Sequence, residues 1–291
     1  MIKRICGLAA LMLASSAVAA QPSFTAEQLV AKNLAARGGE AALAAIKSLQ
    51  FDGRALEPGD FELSFRQVQK SQPQGDAVRM DLTVQGLTLV QAYDGNNGWK
   101  INPFAGRRDA ERMSADEARS MGDQALLSGV LLSAAANKSR VTYAGIEDFD
   151  GTDAYKLKVV QPDGDEYVYL LDPDTFLEIK MVESRRIRGT LQVTDYELGD
   201  YEKVDGVYYP MSIDSWTDGQ PNQRQRIVIE TAKANVEAPA SLFAQPADGA
   251  KPSAAIPGDV PKPTPARSND KMADEPTPTT PPSASPSKEQ N

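Results

Sequence analysis

From Leu49 onward apolar and polar residues alternate with a period of two, and a chain written this way buries one face by forming strands. Phe61, Leu63 and Phe65 alternate with Glu62, Ser64 and Arg66; Val78, Met80, Leu82 and Val84 alternate with Arg79, Asp81 and Thr83. The pattern returns at Tyr155, Leu157 and Val159, at Leu177, Ile179 and Met181, and as one run through Val207, Tyr209, Met211 and Ile213. Half-buried antiparallel strands are the expected outcome. Asp94-Gly95, Asp150-Gly151, Asp163-Gly164, Asp205-Gly206 and Asp218-Gly219 lie between them. Such pairs suit two-residue hairpin turns because both central residues can take positive φ. The spacing predicts about ten to twelve strands, most joined to their neighbours as a meander.

Two stretches break the period. Thr25 and Gln28 form a capping box before a helix that should run to about Ala36 and stop at Gly38-Gly39, with a shorter helical piece over EAALAAIKS. Ser114 and Glu117 form a second box, and the residues after it predict two short helices broken near Gly122. Leu126, Leu127, Val130, Leu131 and Leu132 cover more than one stripe of the second, which is therefore buried or facing something apolar. A long meander with one apolar face needs a cover, and these helices supply it. The expected fold is mainly β with α: a strongly curved antiparallel sheet, an incomplete barrel, covered by an N-terminal helix and a central helical lid.

The ends read differently. Residues 1–20, with Lys3 and Arg4 before an apolar run that ends in Ala17-Val18-Ala19-Ala20, predict a cleaved secretory signal, so the mature protein is expected in the periplasm. Cys6 has almost nothing before it and is read as discarded with the signal rather than lipidated. Residues 247–291 hold ten of the chain's 20 prolines and no aromatic, which predicts a disordered tail. One folded domain over 21–246 remains.

Composition then narrows the chemistry. The chain has no histidine, and Cys6 is its one cysteine. Imidazole general bases, Ser-His-Asp and Cys-His nucleophilic sites, and the usual nitrogen and sulfur ligands of metals and cofactors are thereby excluded from the mature protein. Sequence-adjacent carboxylates such as Asp172/Asp174 sit in turns and cannot face each other across a cleft as glycosidase pairs do. No catalytic residue, metal or cofactor is expected. The formal charge of −9 becomes about −11 once Lys3 and Arg4 leave, which disfavours nucleic acid and anionic membranes as partners. Arg185, Arg186 and Arg188 form the one dense basic cluster, read as an exposed strand end or loop, or else as a landing site for an acidic partner or lipid headgroup.

The segments GGEAALAAIKSLQFDGR, YDGNNGWKINPF, YVYLLDPDTFLEIKM, YEKVDGVYYPMSI and NVEAPASLFAQP occur in that order. Together they resemble the outer-membrane lipoprotein-sorting proteins, the LolA/LolB-like superfamily, over about residues 24–246. The resemblance implies a half-barrel with a helical lid over a hydrophobic cavity that holds lipid or lipoprotein acyl chains, without catalysis. A sensor or regulatory module of the same fold that binds another envelope protein is the alternative, and a monomer is expected in either case. The cavity candidates are Phe61, Leu63, Phe65, Met80 and Leu82, then Trp99 and Ile101, with Trp99 facing inward at the rim. Leu127, Val130 and Leu131 are expected from the lid, and Met181, Tyr209, Met211 and Ile213 from later strands.

Overall fold

A computed structural model describes residues 24–59, 61–247 and Ile256. The expected signal and, Ala247 and Ile256 apart, the Pro-rich tail lie outside the described residues. Helix α1 (Ala26–Arg37) begins at the Thr25 capping box, in which both reciprocal hydrogen bonds are present, and α2 (Glu40–Ala45) follows directly. Five strands come next: β1 (Ser48–Glu57), β2 (Phe61–Lys70), β3 (Ala77–Val84), β4 (Leu87–Tyr93) and β5 (Gly98–Ile101), with the two-residue β6 (Glu111–Arg112) after them. Helices α3 (Ala115–Ala125) and α4 (Gly129–Ser133) interrupt the strands. Then come β7 (Arg140–Phe149), β8 (Thr152–Val160), β9 (Glu166–Leu171), β10 (Glu178–Ile187) and β11 (Thr190–Gly199). The last are β12 (Glu202–Val204), β13 (Val207–Tyr209), β14 (Ser212–Thr217) and β15 (Gln225–Ala234).

Thirteen of these strands form one curved antiparallel sheet that does not close into a barrel, in the order β6-β5-β4-β3-β2-β1-β15-β14-β11-β10-β9-β8-β7. The last strand pairs with the first, so two meanders meet in the middle. Strands β12 and β13 are a separate hairpin. The expected continuous run Val207–Ile213 is thus split, because Pro210 brings no N–H to a ladder and ends β13. The hairpin leaves the sheet and lies over it.

Alternation assigns the faces. On the inner face, Leu29 of α1 and Val130 and Leu131 of α4 pack on Leu157, Val159 and Leu171 of β8 and β9. Val207, Tyr209 and Met211 pack on Leu49, Phe51, Leu63 and Phe65 of β1 and β2. Met121 and Ala125 of α3 pack on Val78 of β3. Helix α3 runs through Gly122 without a break; the expected interruption comes instead at residues 126–128, before Gly129 at φ +77°. A Cβ on Gly122 would lie 3.5 Å from the Tyr93 ring, an ordinary contact, and the helix is continuous there.

One glycine fixes the hairpin against α1. Gly38 sits at φ +125°, and a Cβ there would fall 2.2 Å from the Gly206 carbonyl oxygen. Next to it, Arg37 Nε donates to the Tyr208 carbonyl at 2.7 Å and Nη1 lies 3.2 Å from Glu178 Oε1. Gly38→Ala should cost about 1–3 kcal/mol through backbone strain and a displaced hairpin, measured by urea denaturation. Gly39→Ala also meets positive φ but no neighbour within 4 Å, so it should cost less.

The outer face is covered as well. Residues 236–243 and Ile256 lie across β1, β2 and β3, with Val68, Ala77, Ala238, Leu242, Phe243 and Ile256 in one buried cluster. A segment outside the ladder has carbonyls to satisfy, and sheet side chains meet them. Lys70 Nζ donates to Ala238 at 2.5 Å, Arg79 Nη1 to Leu242 at 3.3 Å, Trp99 Nε1 to Phe243 at 2.7 Å and Arg66 Nη1 to Ile256 at 2.6 Å. The same face carries the buried ion pairs Arg66–Asp52 and Arg79–Asp81.

Candidate functional site

Helix α3 bridges the concavity of the inner face. At one end Lys100 Nζ of β5 reaches Glu117 Oε1 at 2.5 Å, beside the capping box of Ser114 and Glu117. At the other, Arg119 Nε donates to Asp165 Oδ2 at 2.9 Å and the Arg188 N–H donates to Asp116 Oδ2 at 2.9 Å. Underneath, Asp123 accepts from Tyr167 Oη at 2.7 Å, Gln161 Nε2 at 2.9 Å and Arg185 Nη2 at 3.2 Å. Glu183 pairs with Arg185 and accepts from Tyr196 Oη at 3.1 Å. Burial pushes the Asp165 carboxyl above its ordinary range, although Arg185 and Arg119 pull the other way. Burial and the Asp123 carboxylate push the Tyr167 hydroxyl far up, so it stays a donor. Arg185, read from the sequence as part of an exposed cluster, is 5% exposed in its side chain and belongs to this network. Alternation decides it: Arg185 is on the inner face with Glu183, while Arg186 points the other way.

Beside the network opens a cleft of about 780 Å³. Its wall follows from reading each strand toward the ends where β1 turns into β2 and β10 into β11. Ala55 gives way to Glu57, Ile227 to Gln225, Ile213 to Ser215, and Met181 to Glu183 and Arg185. The residues reached last line the cleft, with Gln91, Gln124 and Gln192. Strands β2 to β4 do not make this change. Phe61 stands opposite Glu57 in the ladder, Val84 opposite Leu87, and Leu82 opposite Leu89. Phe61 is 47% and Leu87 42% exposed, while Met80, Leu82, Val84 and Leu89 are half-buried. An apolar shelf therefore borders a polar cleft, joined through the pairs Glu57–Phe61 and Met80–Gln91.

No family model matches the sequence, and no curated protein does. Solved structures do. A DUF1329 family protein from Desulfovibrio piger superposes with a TM-score of 0.53 at 12% identity, over 75% of this chain and 97% of that one. A Vibrio parahaemolyticus domain assigned to outer membrane lipoprotein sorting gives 0.51 at 14% identity, over 75% and 97%. A LolA superfamily protein from Nitrosomonas europaea gives 0.50 at 14% identity, over 76% and 98%. The chain has the LolA-like fold.

Within this LolA-like fold the sequence-predicted residues separate into four groups. Phe61, Leu63, Phe65, Met80 and Leu82 come together on the inner shelf, Leu63 and Phe65 at its buried end. Leu127 and Ile213 are half-buried at the edge of the same cluster. Val130, Leu131 and Met181 join the cluster under α1 and α4, Tyr209 belongs to the covering hairpin, and Met211 is tied by its backbone to β11 and β15 beneath it, so these five fill space between sheet and cover. Trp99 and Ile101 are on the outer face, which corrects the expected inward rim position. The row Val68–Arg79–Ala92–Trp99 runs straight across β2 to β5, and its inner counterpart is Gln67–Met80–Gln91–Lys100. The cleft is mostly polar, whereas a hydrophobic cavity was expected. Leu87, Leu89 and the cleft amides were missed. The turn at Gln85 and Gly86, both at positive φ, carries no Asp-Gly signature to announce β4.

Proposed function

We propose that this protein is a non-catalytic periplasmic binding protein that holds acyl chains of lipids or lipoproteins on the inner face, for transport or sorting to the outer membrane. The observation that carries this reading is the uncovered apolar shelf, with Phe61 and Leu87 half-exposed beside an open cleft. Apolar side chains left uncovered on the concave side of a sheet are stabilised by any ligand that removes them from water. Each methylene buried there contributes about 0.8 kcal/mol before ordering costs, so one long chain suffices for useful affinity. The fold likeness to a domain assigned to lipoprotein sorting supports the reading, as does the secretory pattern at the N-terminus. Among the described residues no helix is long and apolar enough to cross a membrane.

Native mass spectrometry of protein purified from its own envelope fraction should show co-purifying lipid, and stripped protein should take up a fluorescent fatty acid. A clean protein that also refuses the fatty acid contradicts the reading. Recovery of a crosslinked envelope protein from lipid-free material would instead support an interaction module.

A further inference from the structure

The C-terminal segment grips the outer face at two places of unequal strength. Residues 236–243 come straight from β15, bury Ala238, Leu242 and Phe243, and have the carbonyls of Val236, Ala238, Leu242 and Phe243 met by Ser48, Lys70, Arg79 and Trp99. Ile256 arrives separately, further along the chain, as one side chain that is 1% exposed and joins the same cluster. Its carbonyl accepts from Arg66 Nη1 at 2.6 Å. That guanidinium is held from the sheet, because Asp52 accepts from Arg66 Nε and, through its other oxygen, from Gln50 Nε2 at 2.7 Å. Pro257 follows, and a residue before proline favours extended backbone. The sheet therefore meets one aliphatic side chain and the carbonyl of the same residue, which any extended peptide of that kind can offer.

We propose that the outer face at Arg66, beside the Val68 cluster, is a docking site for an extended peptide with an aliphatic residue before a proline, filled in cis by this chain's own Ile256-Pro257 as an exchangeable ligand. One side chain and one carbonyl are a small hold beside the three side chains and four carbonyls of residues 236–243. Segments with fewer buried contacts open more readily than the domain as a whole, so Ile256 leaves the sheet more often than Phe243 does. A tethered ligand competes at an effective concentration of about millimolar, so a peptide in trans displaces it by excess or by better fit. Arg66 and Val68 alternate along β2 with Phe65, which faces the apolar shelf. A peptide at this site and an acyl chain on the inner face are on opposite sides of the sheet and do not compete.

Fluorescence anisotropy of a labelled peptide spanning residues 251–262, titrated with the full-length protein and with its Ile256→Asp variant, tests this. The variant vacates the site and should bind the peptide about ten-fold or more tightly than the unmodified protein, the margin that a tethered competitor at millimolar effective concentration gives. The same peptide with Ile256→Asp should bind neither protein. The urea midpoint of the Ile256→Asp protein should stay close to that of the unmodified chain, whereas Leu242→Asp should lower it sharply. No gain in peptide binding by the Ile256→Asp protein overturns the proposal, as does equal binding of the two peptides. So does an Ile256→Asp protein that loses as much stability as Leu242→Asp, because Ile256 would then belong to the core. Each of these outcomes leaves the acyl-chain reading standing.

Discussion

Trp99→Ala should destabilise the protein by about 3–5 kcal/mol, the range for truncating a large buried aromatic, and should leave acyl-chain affinity of the remaining folded protein unchanged. Trp99 is 1% exposed and clusters with Val90, Ala92 and Ile101 on the outer face. Its indole N–H donates to the Phe243 carbonyl at 2.7 Å. The substitution removes an apolar side chain, opens a cavity between sheet and C-terminal segment, and leaves a buried carbonyl without its donor. Trp99→Phe separates these effects: most of the volume returns, the hydrogen bond does not, and the loss should fall to about 1–2 kcal/mol. Urea denaturation gives the stabilities and fatty-acid titration the affinity. If Trp99→Ala weakened ligand binding at full stability, the placement of Trp99 on the outer face would be wrong.

Phe61→Thr combined with Leu87→Thr should do the reverse. Both side chains are about half-exposed and belong to the shelf. Threonine, β-branched, suits a strand while removing most of the apolar area. Stability should change by about 1 kcal/mol or less, as expected for exposed positions. Affinity for a fluorescent fatty acid should drop at least about ten-fold, since two partly buried apolar contacts are lost at roughly 25 cal/mol per Å². Val130→Thr makes the contrast. It sits on α4 and points into the buried cluster between α1, α4 and the sheet, so the substitution should lower stability and leave affinity alone.

The legible parts of this fold were those written in local chemistry. Thr25/Gln28 and Ser114/Glu117 place two helix starts correctly, because a capping box needs only residues three apart. The strands around Phe65, Met80 and Leu157 follow from alternation. Asp150-Gly151 and Asp205-Gly206 take positive φ at both positions, as their turns require. What local chemistry did not specify was which face of a strand looks inward. In β4, LTLVQAY is apolar on both sides, since Leu87 and Leu89 face the shelf and Val90 and Ala92 are buried on the outer face with Trp99, which the C-terminal segment covers. That double cover exists only because residues about 150 positions later fold back over the sheet, as the Trp99–Phe243 bond 144 residues apart shows. The same long-range event buries Arg66, Arg79, Asp52 and Asp81, which alternation alone assigns to solvent. It also gives Ile256 a place on the sheet from within a Pro-rich stretch. Arg185 was hidden for a related reason: its three neighbouring carboxylates come from α3, the β8–β9 turn and β10.

The proposed function puts acyl chains on the inner face along β2, β3 and β4. Photocrosslinking with a diazirine fatty acid, followed by peptide mapping, addresses it directly. Light-dependent adducts are expected within residues 61–65 and 80–89, competed by unlabelled fatty acid and lost in the Phe61→Thr, Leu87→Thr protein. Adducts confined to the outer face around Trp99 and Phe243, or labelling that unlabelled fatty acid does not compete, would contradict it.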